Sequence, residues 1–197
     1  MSAPNKRDES AAATRQLLVD EASRLFSRHG FAKTSLSEIV ANVGATKGAL
    51  YHHFPNKLEL FATCYEQQAA RVAEVVRCAE SSDDPWLDIL ARCRVFLSCA
   101  SMPELKAVQI QEAITVLGWQ RWHALDSAHT MGELELSLER LHKAGRLGAF
   151  DRQLLVGSIF AMLVNAMMAL VTSKDKAATE AELMRQLEAF LLGVLIR

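Results

Sequence analysis

The chain has 197 residues, enough for one or two small domains with a hydrophobic core. Half of the residues are hydrophobic and only four are prolines, a composition that favours long, uninterrupted helices. The formal net charge of −1 excludes a polycation that binds nucleic acid by charge alone. Residues 1–60 carry eight Lys and Arg residues against six Asp and Glu residues, a bias too small to indicate a partner.

The N-terminal residues 1–13 are polar or small and lack hydrophobic periodicity, so we expect a flexible arm. The first helix is predicted over residues 14–29, where Leu18, Ala22 and Leu25 recur at helical spacing. Gly30 follows and is expected to end this helix.

Two short helices joined by a tight turn are predicted over residues 34–57. The first extends from Ser37, a candidate N-cap, to Val43. Gly44 follows directly, as expected for a residue that must adopt a positive φ. Thr46 is the candidate cap of the second helix.

In the second short helix, Leu50 and Phe54 lie four residues apart and are expected to pack inward. Small, basic and hydrogen-bonding side chains are left facing outward: Lys47, Gly48, Ala49, Tyr51, His52 and His53. This pattern is typical of a helix-turn-helix, whose second helix lies in the major groove of DNA.

We expect Lys47 and Gly48 to contact bases, with Ala49 adding an apolar contact. His52 has the chemistry for either a base or a phosphate. The rest of the DNA-binding set is expected to hold phosphates or support the contact: Thr34, Ser35, Thr46, Tyr51, His53 and Lys57. Two alternatives stay open, a buried supporting role for His53 and a packing role for Tyr51.

This block resembles the DNA-binding domain of the TetR family of bacterial transcriptional regulators. The matching residues are Gly30-Phe31, Thr34-Ser35-Leu36, Ile39, Ala41, Val43-Gly44, Thr46-Lys47-Gly48, Leu50-Tyr51-His52-His53-Phe54, Asn56-Lys57 and Leu60. The resemblance covers about the first third of the chain. It implies an all-α fold, with an N-terminal three-helix domain that contains the helix-turn-helix and a C-terminal helical domain for ligand binding and dimerisation.

The resemblance also implies a function, that of a cytoplasmic bacterial regulator located at the nucleoid when bound to its operator. Its partners would be double-stranded DNA with an inverted-repeat operator, a second copy of the chain and an unidentified small-molecule effector. A repressor released by that effector is the main expectation, and an activator is the alternative.

A long helix predicted over residues 57–82 would connect the DNA-binding head to the body. We place the domain boundary within it, which gives a DNA-binding domain at 14–60 and a regulatory and dimerisation domain at 61–197. Further helices are expected over residues 85–100, 104–117 and 119–144, and no strand pattern occurs.

The last two helices are the most apolar part of the chain. Residues 154–171 are apolar on all sides, which is typical of a buried helix or a membrane helix, whereas residues 179–196 are amphipathic. Pairing with the same helices of a second copy would bury this surface in a four-helix interface. The residues expected there are Leu155, Ile159, Met162, Leu183, Leu187, Phe190, Leu191 and Val194.

A pocket for an organic effector needs apolar and aromatic walls with a few polar groups. Candidates are Trp86, Phe96, Met102, Ile110, Trp119, Trp122, His123, Asn165 and Met168, although each could equally be a core residue. Asn165 stands out, because an amide in an apolar helix needs a hydrogen-bond partner from protein, ligand or a second copy.

The four cysteines, Cys64, Cys78, Cys93 and Cys99, form no Cys-x-x-Cys pair. We expect reduced and mostly buried thiols, with a redox sensor as the alternative. His129 and Glu133 are four residues apart but lack a closed ligand set, so no metal or other cofactor is expected.

No nucleophile–base pattern or phosphate-binding loop occurs, so an enzyme is not expected. The competing hypothesis is a helical protein that binds small molecules or a membrane and lacks specific DNA binding.

Overall fold

The computed structural model describes residues 6–79, 82–102, 105 and 108–196. The all-α prediction is confirmed, because every regular element in this part of the chain is a helix. The elements are α1 (Lys6–Lys33), α2 (Leu36–Asn42), α3 (Lys47–His53), α4 (Lys57–Arg77), α5 (Pro85–Ser98), a 3₁₀ helix (Cys99–Ser101), α6 (Ile110–Leu117), α7 (Trp119–Lys143), α8 (Arg152–Thr172) and α9 (Lys176–Val194).

The start of α1 corrects one expectation. Residues 6–13, expected in a flexible arm, are helical, and residues 1–5 lie outside the described residues. Three consecutive alanines at 11–13, which are strong helix formers, favour this extension. The helical backbone is interrupted at Gly30, with φ 76° and ψ 168°, where the first helix was expected to end.

The chain divides into two compact units, Met1–Gln68 with Lys106–Trp122, and Ala69–Leu105 with His123–Arg197. The divisions fall inside α4 and α7, so each of these helices contributes residues to both units. The first unit therefore contains α6 in addition to the three N-terminal helices. The boundary expected near residue 60 stays a prediction.

The core of the first unit forms where α1 packs on the two short helices. Leu18, Val19, Ile39 and Leu50 are fully buried there. Three phenylalanine rings, Phe26, Phe31 and Phe61, have centroids 5.0–5.9 Å apart. Such ring pairs contribute about 0.5–1.5 kcal/mol each beyond the area that they bury. This core fixes the helix-turn-helix on α1.

The second unit is built around α8, which packs on α5 and α9. By length and composition, α8 is also the one helix in the described part of the chain that is apolar enough to cross a membrane. Half of that stretch is buried inside the protein. A core helix of a globular unit accounts for this composition.

Candidate DNA interface and effector site

The two short helices are held by side-chain caps. The hydroxyl of Thr46 accepts a hydrogen bond from the Ala49 amide at 3.1 Å, so the predicted cap of α3 is confirmed. The cap of α2 is Ser35, which accepts from the Glu38 amide at 3.1 Å, and the prediction of Ser37 is wrong. The Ser-x-x-Glu spacing of Ser35 and Glu38 is a known N-terminal signature and identifies the correct residue.

The turn between α2 and α3 requires a glycine. Gly44 has φ 66°, and its amide donates to the Ala41 carbonyl at 3.3 Å. The next amide, that of Ala45, donates to the Val40 carbonyl at 2.9 Å. These two bonds form a Schellman motif, which ends α2 and sets the direction of α3.

The side chains of α3 separate into an inward and an outward set, as predicted. Leu50 is fully buried, and Phe54, directly after the helix, is 2% exposed. The exposed set is Thr46, Lys47, Gly48, Tyr51 and His52, while Ala49 and His53 are half-buried. Five of the seven predicted DNA-contact positions of α3 and its cap are therefore exposed, and three of them lie at the helix N-terminus, where they bring donors and little bulk.

His53 differs from its neighbour in its surroundings. Burial lowers the pKa of His53 below its usual value of 6.5, and the nearby His52 and Arg15 lower it further. The imidazole is thus neutral at neutral pH and offers one N–H donor rather than a positive charge.

Two residues expected to hold phosphates make contacts inside the first unit. Thr34 is 1% exposed, and its hydroxyl donates to the Gly30 carbonyl at 2.9 Å. The Lys57 ammonium donates to the carbonyls of Phe31 and Thr34 at 2.8 and 3.0 Å. It also lies 4.3 Å from the centre of the Phe31 ring. Both side chains secure the segment between α1 and α2.

A contact that sequence analysis missed joins α6 to the break in α1. The Glu112 carboxylate accepts a hydrogen bond from the Phe31 amide at 2.6 Å. A Cβ atom at Gly30, which has φ 76°, would lie only 2.9 Å from the same carboxylate oxygen. Glu112 therefore lies against the glycine at which the helical backbone of α1 is interrupted.

Further contacts attach residues 108–122 to α4 within the first unit. Gln68 exchanges two hydrogen bonds with the backbone of Val108, at 2.7 and 2.9 Å. Arg121 binds both carboxylate oxygens of Glu59, at 2.8 and 2.6 Å. These partners are 40 or more positions apart in the chain, so no local pattern predicts them.

Trp122, expected in a ligand pocket, belongs to this attachment. Its side chain is fully buried, and its indole N–H donates to the Tyr65 hydroxyl at 2.6 Å. The expectation is corrected, since the tryptophan fills the core of the first unit. Its neighbour Trp119 is 57% exposed.

A small cavity of about 30 Å³ lies inside the second unit and is partly open to solvent. Its walls come from α4, α5, α7 and α8 and are mainly apolar. Of the nine predicted pocket residues, Phe96 lines it. Six others lie outside it. Trp86, Met102, Ile110 and Met168 are half-buried, and the His123 ring packs edge-on against Phe160 with ring centroids 6.1 Å apart. The exposed Asn165 lines a separate recess with Met162 and Leu183.

One end of this cavity adjoins an ion cluster around the buried Asp88. Asp88, 1% exposed, accepts hydrogen bonds or ion pairs from Arg92 at 3.0 Å and Arg140 at 2.8 Å. Arg92 also donates to Glu133 and to the Val76 carbonyl, both at 3.2 Å. Two carboxylates and two guanidinium groups thus balance in charge where α4, α5 and α7 meet.

Most residues expected at a dimer interface point into their own protomer. Leu155, Ile159, Leu187, Leu191 and Val194 are buried, Met162 and Leu183 are half-buried, and Phe190 is 38% exposed. The exposed stripe of α8 consists of uncharged residues every three or four positions, namely Leu154, Ser158, Ala161 and Asn165. Periodicity located the helices but not which face stays uncovered.

The cysteines divide by burial. Cys64, Cys93 and Cys99 are buried, and burial raises the pKa of Cys64 and of Cys93 to about 12. Cys78 is exposed and donates to the Glu74 carboxylate at 3.3 Å. Among the described residues, no group of three His, Cys, Asp or Glu side chains is placed to hold a metal ion.

Two family models match the chain. The model of bacterial regulatory proteins of the tetR family matches residues 18–64, and that of the tetracyclin repressor-like C-terminal domain matches residues 86–194. The first match contains the helix-turn-helix, and the second spans more than half of the chain.

Similar proteins agree with these matches. The transposon Tn10 TetC protein of Escherichia coli is 24% identical over 98% of both chains. The HTH-type transcriptional regulator AcrR of Shigella flexneri is 41% identical over 36% of this chain and 33% of its own. A crystal structure of a TetR-family transcriptional regulator from Pectobacterium atrosepticum has 29% identity and a TM-score of 0.79, covering 98% of this chain and 99% of that chain.

Proposed function

This chain belongs to the TetR family of bacterial regulatory proteins, and on that basis we propose that it is a ligand-released repressor whose functional residues have the following roles. Regulators of this family are soluble cytoplasmic proteins that bind DNA operators as dimers and respond to small molecules. The proposal assigns operator recognition to α3, dimerisation to α8 and α9, and effector binding to the cavity of the second unit. When bound to its operator, the protein is located at the nucleoid.

The observation that carries the proposal is the outward face of α3. Lys47 and Gly48 lie in its first turn, exposed, where a recognition helix meets base edges. Lys47 donates to a guanine, Gly48 permits close approach of the backbone, and Ala49 contacts a thymine methyl group. Thr46 and Tyr51 bind the phosphates on either side.

The remaining residues predicted to contact DNA have secondary or indirect roles in this proposal. His52 is exposed and reaches a base or a phosphate, while the neutral His53 donates one hydrogen bond from a half-buried position. Ser35 is exposed at the start of α2, where its hydroxyl caps the helix beside the DNA backbone. Thr34 and Lys57 act indirectly by holding the head together.

Dimerisation uses the uncharged stripe of α8 with the exposed side chains at the end of α9. Small residues such as Ser158 and Ala161 allow a second α8 to approach closely, and Phe190 and Leu192 add apolar surface. Two-fold symmetry presents two α3 helices to two half-sites, so the operator is an inverted repeat.

The effector binds in the cavity between α4, α5, α7 and α8. Its walls are mainly apolar with a few polar side chains, as in small-molecule sites, and its volume of about 30 Å³ has to grow when a ligand binds. Because α4 also contributes to the first unit, a ligand that displaces it favours one of two states with different operator affinity.

The test is selection of genomic DNA fragments by the purified full-length protein, followed by titration of the selected sequence at several salt concentrations. We expect one inverted repeat, bound by a dimer and about 10³-fold or more tighter than random DNA. Its position relative to a promoter distinguishes repression from activation.

Weak, strongly salt-dependent binding without a sequence motif would overturn the proposal, because it means contacts to phosphate alone. That outcome would favour the competing hypothesis, a helical protein that binds small molecules or a membrane.

A further inference from the structure

Arg15 on α1 lies against the end of α3. Its guanidinium carbon is 5.0 Å from the centre of the Phe54 ring, which follows directly after α3. The phenylalanine is 2% exposed, and Arg15 is half-buried. A guanidinium over an aromatic ring interacts through its charge and its face, so this contact does not use its N–H groups.

The charge of Arg15 is not paired with a carboxylate in the part of the chain that the structure describes. Arg15 makes no ion pair and no hydrogen bond to a described side chain. By contrast, Arg24 and Arg121 of the same unit each bind both oxygens of a carboxylate. Residues 39–58, which include α3, contain no Asp or Glu. The guanidinium therefore offers its charge and its N–H donors to an anion from another molecule.

Two histidines adjoin Arg15 at this end of α3. The ring centroids of His52 and His53 are 5.2 Å apart, and His52 is exposed. Burial, the neighbouring His52 and then Arg15 lower the pKa of His53, so Arg15 is within electrostatic reach of that imidazole. The three side chains thus form a cluster of N–H donors where α1 meets the end of α3.

A DNA phosphate is the anion that this cluster fits. A guanidinium binds two phosphate oxygens side by side, and a neutral imidazole adds one N–H donor. Because a helix rises about 1.5 Å per residue, His53 lies about 9 Å along α3 from Lys47. This separation is comparable with the major-groove width of about 12 Å. One end of α3 therefore meets base edges while the other reaches the backbone that borders the groove.

We propose that Arg15 and His53 form a phosphate site at the C-terminal end of α3, which makes Arg15 a DNA contact contributed by α1. Arg15 binds the phosphate through its N–H groups and neutralises its charge, and the imidazole of His53 donates one hydrogen bond. The site positions the DNA-binding unit on the backbone and adds affinity without base specificity. This inference rests on the proposed function, since it names a further contact of the same DNA interface.

Salt dependence distinguishes this role from a purely structural one, in which Arg15 only covers Phe54. Arg15→Met keeps an unbranched side chain and removes the charge. We expect about tenfold weaker binding of the operator and of a random duplex, as for one hydrogen-bonded charge. The slope of log affinity against log salt should fall by about 0.9 for each DNA-binding unit engaged. An unchanged slope would overturn the proposal at any change in affinity, because a structural loss does not alter the number of neutralised phosphates.

Three further variants complete this titration. Arg15→Lys keeps the charge and should keep the slope, with a smaller loss of affinity because an ammonium lacks the planar fork of a guanidinium. Arg71→Met, at an exposed position on α4 in the second unit, should change neither quantity. Thermal unfolding checks that Arg15→Met is folded, and Arg15→Gln is the second neutral variant if it is not.

His53 is tested in the same way at pH 8, where its lowered pKa makes it a neutral donor. His53→Phe should weaken operator binding several-fold and leave the salt slope unchanged, because no charge is lost. His53→Gln keeps an N–H donor and should lose less. Unchanged affinity in His53→Phe, or a reduced slope, would overturn the assignment of a neutral donor.

The random duplex keeps this test separate from that of the proposed function. If the unmodified protein selects no inverted repeat, yet Arg15→Met lowers the salt slope on random DNA, the proposed function fails and the phosphate site stands. If one operator is bound specifically and Arg15→Met leaves the slope unchanged on both duplexes, the phosphate site fails and the proposed function stands.

Discussion

The carboxylate of Glu112 accepts a hydrogen bond from the backbone amide of Phe31 at 2.6 Å, which joins α6 to the point where α1 is interrupted. This amide lies in the region of the chain that leads into the helix-turn-helix. Within the first unit, this bond links α6 to the segment that positions the DNA-binding helices.

Removing this acceptor should destabilise the first unit. Glu112→Ala leaves a part-buried amide without its partner, and we expect a loss of about 1–3 kcal/mol in the free energy of unfolding. Glu112→Gln keeps an acceptor oxygen and should lose less. Denaturant unfolding measures both, with Gln111→Ala, an exposed position on the same helix, as the control. Equal stability of Glu112→Ala and the control would contradict the assignment.

Two glycine substitutions should have opposite signs. Gly30→Ala places a Cβ atom 2.9 Å from Glu112 at φ 76°, so we expect a loss of about 1–3 kcal/mol. Gly132→Ala lies inside α7 with nothing within 4 Å, and should stabilise by about 0.5–1 kcal/mol because alanine favours helix. Thermal unfolding of both variants tests this, and a stabilised Gly30→Ala would refute the strain at that position.

Lys47 should control DNA sequence specificity without affecting the fold. Lys47→Ala should weaken operator binding by about 1–3 kcal/mol if the ammonium contacts a guanine. Its exposure predicts an unchanged melting temperature. Lys174→Ala, an exposed lysine of the second unit, serves as the control in the same titration. Operator affinity that survives Lys47→Ala intact would remove this residue from base recognition.

We expect Lys57 to stabilise the fold rather than bind a phosphate, and the salt dependence of operator binding tests this. Lys57→Met keeps the apolar stem and loses the two carbonyl contacts and the ring contact, so we expect a stability loss of about 1–3 kcal/mol. A lysine that neutralises a phosphate also changes the slope of log affinity against log salt, by about 0.9 for duplex DNA. We expect an unchanged slope for operator binding, and a reduced slope would restore Lys57 to the phosphate contacts.

The Glu59–Arg121 pair should contribute to acid stability. The hydrogen bonds and charge of Arg121 lower the pKa of Glu59 below its usual 4.5. The folded state therefore gains stability above about pH 4.5 and loses it as the pH falls through the lowered value. Both side chains are 37% exposed, so the gain is about 0.2–1 kcal/mol. Arg121→Gln should flatten stability against pH in this range, and a slope equal to that of the unmodified protein would contradict it.

Local signals predicted the helix-turn-helix well, because its geometry is set by near neighbours. Leu50 is buried at helical spacing, Gly44 ends α2, and Thr46 caps α3 through an amide three residues away. Even the missed cap at Ser35 follows a local pattern, Ser-x-x-Glu.

Contacts between residues far apart in the chain could not be predicted from local sequence patterns. Nothing near Lys57 indicates that its ammonium binds the carbonyls of Phe31 and Thr34, since that depends on how α4 packs on α1. Likewise, Trp122 is the kind of residue expected in a pocket and Ile159 the kind expected at an interface, yet each is fully buried within its own unit. Periodicity identifies an apolar face, and only the packed fold decides what covers it.

Cys78 is suited to site-specific labelling, because it is exposed whereas the other three cysteines are buried. Its thiol is exposed just beyond α4, whereas the buried Cys64 and Cys93 stay almost wholly protonated at neutral pH. A thiol-reactive spin label therefore attaches at one position per chain without removal of the native cysteines. In a dimer, the distance between two such labels would record directly whether α4 moves when an effector binds.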